Sequence, residues 1–379
     1  MKRDLRLDTL RGLMLVSMAT IHLTLYIFEP LKPLVKYIFE PLGFVSSAEG
    51  FIFISGIVAG IVYGGMSLQE GQLNSKVNKM LRRRAFQRAG VIYFSHMFIF
   101  VVVLLGVSAF GREGTSLLFT NKLMALVLGS ILLYQPTLMD ILPMYCLFVL
   151  LIPFLIKQFK LRRELWILLS SAAIWVAAQM GVRGKICCLL SDVIPVRLGY
   201  FDIFAWHLLF IFGVFIGFWR RTHKESFIPT RFRLSLFIAC MAIGSMLFIQ
   251  RHDLVGFNIM QDLGLSTCRT TLALLRLLNF IVIAYLISRV GVRFPKLLSW
   301  RWLSFLGQHS LQVFTFQILV VFSLIPLRKL LSSMSLEAQV LAIVFVGASL
   351  TLPAFYHKRY RGWSEQKEGN SNLFKFAGS

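Results

Sequence analysis

Ionisable side chains inside long apolar runs are the first features of this sequence that could do chemistry. Arg11, His22, Glu49, His207, Arg276 and His309 each interrupt such a run, and Asp140 stands at the mouth of another. A charge at the centre of a membrane helix costs roughly 2.5–3.5 kcal/mol on insertion scales, so each position needs a reason. Arg11 and His22 are eleven positions apart. Eleven steps of about 100° close to within about 20°, so on a helix both project from one face, roughly 16 Å apart in height. A guanidinium can hold phosphate, and imidazole is the side chain suited to moving a proton near neutral pH. Coenzyme A carries phosphates at one end and a thioester at the end of a long flexible arm, which fits that spacing.

Each residue also has a structural alternative. Arg11 stands where a snorkelling interfacial arginine is common, and His22 could be an interhelical hydrogen-bond partner. Glu49 could simply neutralise Arg276, Asp140 could be an N-cap, and His207 and His309 could be packing histidines. Gly56, Gly60 and Gly64, and again Gly213 and Gly217, repeat at four-residue spacing, the pattern of close helix packing. There is no Gly-rich phosphate loop, no H-x-x-x-H and no C-x-x-C, so no metal site is expected. The five cysteines form no disulfide framework.

The elements that must position these groups follow from composition. The 379 residues are 57% hydrophobic and 15% charged, with a mean hydropathy of +0.72, whereas soluble domains carry about 25% charged residues. A net charge of +23 could suggest nucleic acid. The basic residues, however, sit in short clusters between apolar runs, as cytoplasmic loops do, so the bilayer is the expected partner and nucleic acid is not. A span needs about 20 apolar residues. That rule marks helices near 9–28, 43–65, 88–110, 140–156, 165–180, 203–219, 232–249, 269–288, 302–325 and 335–355. The run 122–134 is too short to cross and reads as re-entrant or interfacial. With that assignment the clusters at Lys2–Arg6, 76–88, 157–163, 220–233, 289–301 and 358–361 all fall on one side, with both termini in the cytoplasm. The expected fold is all-α, a polytopic transmembrane bundle of about ten spans. Residues 1–363 form one membrane domain and 364–379 a flexible cytoplasmic tail. His22 and Glu49 then lie about six residues, roughly 9 Å, below the outer surface, with Arg276 at similar depth. An outer polar cavity shared by His22, Glu49 and Arg276 is expected, with Arg11 and His309 near the inner side.

The residues also carry a resemblance. Arg3-Asp4-Leu5-Arg6-Leu7-Asp8, followed by Leu10-Arg11-Gly12 and His22, resembles the opening of the OpgC-type membrane acyltransferases. Arg11 and His22 match the R-x10-H pattern of the wider acyltransferase family 3 superfamily. Gly43-Phe44 with Ala48-Glu49 and Ser55-Gly56, then Asp140-Ile141-Leu142-Pro143-Met144-Tyr145, continue the likeness. Ala205-Trp206-His207-Leu208-Leu209-Phe210 and Leu306-Gly307-Gln308-His309-Ser310-Leu311 complete it in order. The chain departs from that pattern at Ile21 and near Ser46, where acidic residues are expected, and at His207, where glutamine is more usual. The resemblance implies a bacterial inner-membrane enzyme that moves an acyl group, succinyl in the namesake case, from acyl-CoA to a hydroxyl of a periplasmic glucan.

The expected function is therefore an O-acyltransferase acting on a carbohydrate acceptor, with acyl-CoA as co-substrate and no permanently bound cofactor. His22 takes the hydroxyl proton, oriented by Glu49. Arg11 and the run Arg82, Arg83 and Arg84 hold coenzyme phosphates, and Arg276, Asp140, Tyr145 and His207 face substrate. The alternative is a secondary transporter of an anionic solute that uses the same buried charges as its binding site.

Overall fold

The computed structural model of the chain describes residues 4–34, 37, 40–69, 75–106, 121–223, 233–255 and 266–360. The tail at 364–379 lies outside them, as do Lys2, Arg3, Lys224 and Arg231 of the basic clusters. The architecture is all-α and polytopic. In chain order the helices are α1 (Leu5–Tyr26), α2 (Ser47–Gln69), α3 (Ser75–Gly106), α4 (Lys122–Ser130), α5 (Ile141–Lys160), α6 (Glu164–Gln179) and α7 (Val182–Ser191). They continue with α8 (Ile203–Thr222), α9 (Arg233–Arg251), α10 (Leu274–Arg293), α11 (Arg301–Gln308), α12 (Ser310–Leu324), α13 (Arg328–Ser332) and α14 (Leu336–Ser349).

Eight helices among the described residues are long and apolar enough to cross a membrane, or nine if α6 and α7, bent by 61°, make one span. The expectation of about ten also counted α1. Its 22 residues are long enough, but Arg6, Asp8, Arg11 and His22 dilute its apolar character. The segment 122–134 contains only the nine-residue α4, about 14 Å of helix and too short to cross. α4 lies against α3, where a Cβ on Gly129 would meet the Phe100 ring at 2.5 Å.

Several boundaries differ from the sequence reading for physical reasons. α3 starts at Ser75, because Lys and Arg are good helix formers and a helix can continue out of the apolar layer. The run 302–325 is broken at His309, which has φ −110° and ψ 32° and separates α11 from α12. α2 and α10 begin later than their apolar runs, so Glu49 and Arg276 stand in first turns rather than six residues deep. α1 starts where Asp4 caps it: the carboxylate accepts from Arg6 N at 3.1 Å and pairs with Arg6 Nε at 3.0 Å.

The helices form two compact units, one from Met1–Pro30 with Pro295–Ser379, the other from Leu31–Phe294. In the first, α1 packs against α11, α12 and α14. A Cβ on Gly12 would sit 1.9 Å from Leu303 O, and one on Gly307 1.9 Å from Asp8 O. Only glycine lets these backbones touch, and the pairings 12 with 303 and 8 with 307 make α1 and α11 antiparallel. In the second unit α2 lies on α8 through the glycine faces legible in the sequence. A Cβ on Gly60 would fall 2.2 Å from Val214 O, and one on Gly217 2.1 Å from Ile57 O. Close van der Waals contact of this kind drives helix association where lipid is as apolar as the side chains. α5 joins α8 through rings: Phe210 stacks on Phe148 at 5.3 Å and meets Tyr145 edge-on at 6.1 Å.

Candidate functional site

In the Leu31–Phe294 unit, charges converge at the starts of α2 and α10. Glu49 is 0% exposed. Its Oε1 accepts from Arg276 Nη1 at 2.9 Å, and its Oε2 accepts from Ser46 N at 3.0 Å and from the Ser46 hydroxyl. Arg276 Nη2 donates to Glu40 Oε1 at 2.5 Å, and Arg276 Nε donates to Thr267 O at 3.2 Å. Glu40 also receives Arg269 Nη2 at 2.8 Å and Arg251 Nε at 2.5 Å. Burial alone would raise the Glu40 pKa; Arg276, Arg269 and Arg251 outweigh it and hold the carboxyl below the usual range. Asn279, one turn along α10 from Arg276, accepts from Phe44 N at 2.6 Å, while its buried Nδ2 has no partner among the described residues. The Glu49–Arg276 pairing is thus present, and every guanidinium nitrogen of Arg276 has a partner within the protein. That makes Arg276 a brace between α10, the α2 entrance and the segment carrying Glu40.

The remaining expected residues of this unit are dispersed. Asp140 does not cap α5 with its side chain. Its Oδ2 instead accepts from Tyr200 N at 2.8 Å and Phe201 N at 3.2 Å, fastening the loop before α8. Burial raises its pKa, and those two N–H groups only partly offset the effect. His207 is buried, with Nε2 3.0 Å from the Ser171 hydroxyl of α6, and Tyr145 lies in the α5–α8 ring stack. Arg82, Arg83 and Arg84 are exposed on α3. Arg82 lines a groove of about 440 Å³ with Lys157, Asn78, Phe86 and Phe154, whereas Arg84 Nη1 is 2.6 Å from Met66 Sδ.

The unit built from the chain ends holds Arg11 and His22 on α1. Arg11 is buried, and its Nη2 donates to Ser310 Oγ at the start of α12 at 2.5 Å. His22 follows eleven residues later, and its buried Nδ1 has no partner among the described residues. His309, at the α11–α12 break, places Nδ1 2.9 Å from His357 Nδ1. His309 is therefore paired with His357 at that joint. The structure pairs Glu49 with Arg276 in one unit and carries Arg11 and His22 on one helix, eleven residues apart, in the other.

Sequence reasoning missed Glu40, Arg251 and Arg269, because a search confined to apolar runs passes over connections. It also missed His96, a histidine inside the α3 run that is 1% exposed with neither ring nitrogen partnered among the described residues. Gln317 and Asn279 escaped because amides are uncharged, although a buried amide also needs partners. Among the described residues no group of three or more His, Cys, Asp or Glu could hold a metal ion.

Neither the curated proteins nor the solved structures contain a match to this chain. The sequence model of the OpgC protein family, in contrast, matches residues 3–362, and the chain belongs to that family.

Proposed function

We propose that the protein is a membrane O-acyltransferase that moves an acyl group, succinyl by family likeness, from acyl-CoA to a hydroxyl of a periplasmic glucan or other carbohydrate. Family membership supports a transferase, and the eight apolar helices support a multi-pass membrane location. The bacterial inner membrane, with both termini in the cytoplasm, is the setting that fits the basic clusters.

A carbohydrate hydroxyl is a weak nucleophile, so a base must take its proton as the oxygen attacks the thioester carbon. His22 is that base. The new C–O bond forms, the C–S bond of the collapsing intermediate breaks, and the proton held by His22 passes to the departing sulfur, giving the ester and coenzyme A. Arg11, set roughly 16 Å along the same helix face, holds coenzyme phosphate through charge-assisted hydrogen bonds. The observation that carries this reading is the unpartnered, buried Nδ1 of His22, eleven residues beyond a buried arginine on one helix. A ring nitrogen left open is what proton transfer requires. The Glu49–Arg276–Glu40 group acts as a brace.

Binding of a donor to the folded protein raises its apparent stability by mass action. Coenzyme A and a panel of acyl-CoAs should therefore raise the melting temperature of the detergent-solubilised protein. No shift from any of them at saturation, with a shift from free anionic solutes, would favour a transporter instead.

A further inference from the structure

Gln317 lies in the middle of α12 and is 0% exposed, and neither its Nε2 nor its Oε1 has a hydrogen-bond partner among the described residues. A primary amide stripped of water with nothing to bond is costly to bury. Both functions of the amide are open, the donor and the acceptor, so a fitting partner must offer both an acceptor and a donor. A secondary amide of a ligand does that.

The placement of Gln317 narrows the ligand. Ser310 and Gln317 are seven positions apart on α12. Seven steps of about 100° close to within about 20° of two full turns, so both project from one face of that helix. Ser310 touches Arg11, so the face of α12 that carries Gln317 is turned toward the face of α1 that carries Arg11 and His22. Ser310 opens a 23-residue apolar span, Ser310–Ser332, and meets Arg11 in the second turn of α1, so both helices cross one apolar layer only if α12 runs the way α1 runs, past His22. Measured from the Arg11–Ser310 contact at about 1.5 Å per residue, Gln317 stands roughly 10 Å along and His22 roughly 16 Å along. The order along this seam is guanidinium, amide, imidazole. In acyl-CoA the order is phosphates, two amides of the pantetheine arm, thioester.

We propose that Gln317 is the binding residue for the pantetheine arm of the donor. Its Nε2 donates to a carbonyl oxygen of that arm and its Oε1 accepts the arm's N–H, holding the thioester at the level of His22. This assignment rests on the acyl-CoA reading above and adds to it a residue that sets which carrier is accepted. A donor whose acyl group hangs on a lipid or a sugar nucleotide lacks amides at that distance from its phosphates.

The test compares two ligands on one variant. Coenzyme A contains the arm; adenosine 3′,5′-bisphosphate has similar phosphates and no arm. Gln317→Leu should weaken coenzyme A binding about tenfold, as expected for one lost amide pairing, while affinity for the bisphosphate stays unchanged. The melting temperature without ligand should hold or rise, because the variant removes an unpaired amide. If Gln317→Leu does not fold, Gln317→Met keeps the unbranched shape and is read the same way. Equal loss for both ligands, or no loss for coenzyme A, overturns the assignment while leaving acyl-CoA as donor. If the wild-type protein binds neither ligand, the donor reading itself falls and the assignment falls with it.

Discussion

Two polar groups of this protein are built on opposite principles. At the entrances of α2 and α10, three arginines and two glutamates meet: both oxygens of Glu40 and of Glu49 accept, and every nitrogen of Arg276 donates. Along α1 and α12, His22 and Gln317 keep buried hydrogen-bonding atoms with no partner among the described residues. A saturated buried network fixes geometry and resists change, because removing any member leaves an uncompensated charge. Open buried polar atoms cost stability by themselves, and on the proposed reading a ligand supplies their partners. On the function proposed above, the first group supports and the second does the chemistry, and that contrast can be broken from either side.

The largest effect should come from His22→Ala. Loss of a positioned base lowers transfer by about 10²–10⁴, with donor affinity and melting temperature near wild type, since the base acts in the transition state. Single-turnover transfer and equilibrium binding on the same preparation measure the two. Wild-type turnover in this variant would place His22 with the structural residues and erase the contrast.

Arg276→Ala should do the reverse. Breaking a buried ion pair by removing one partner costs about 3–5 kcal/mol, here with both Glu40 and Glu49 left exposed to the loss. Thermal unfolding should fall steeply, while the fraction that stays folded keeps its donor affinity. A stable variant that has lost activity would move Arg276 into the reacting site.

The smallest effect concerns pH. Glu40 has a folded pKa below its ordinary value, because Arg276, Arg269 and Arg251 outweigh the opposing effect of burial. Its contribution is therefore fully present above the ordinary glutamate range and is lost as pH falls through the depressed folded value. Melting temperature should hold from neutral pH down to that range and then decline, and Glu40→Gln should flatten the decline. A fall of equal size in wild type and variant would show that other carboxylates carry the acid sensitivity.

The pattern of these residues shows what one dimension of information could supply. Hydropathy and charge clusters determined the helical class, nearly every span, the short segment at 122–134 and the glycine faces of α2 and α8. Each depends on neighbours within one helix, where a fixed 3.6-residue period turns sequence into geometry. The shared face of Arg11 and His22 was legible for the same reason. The pairing of Glu49 with Arg276 was visible only as the need of two buried charges for partners. Tertiary structure alone decided that Glu40, Arg251 and Arg269 join that pair, that Ser310 meets Arg11, and that Gln317 is buried without a partner among the described residues. Those contacts join positions hundreds of residues apart, or positions lying in connections, and no periodicity relates one helix to its neighbour. The sequence determined which groups had to be satisfied; the packing of helix against helix decided which were satisfied within the protein and which were left open.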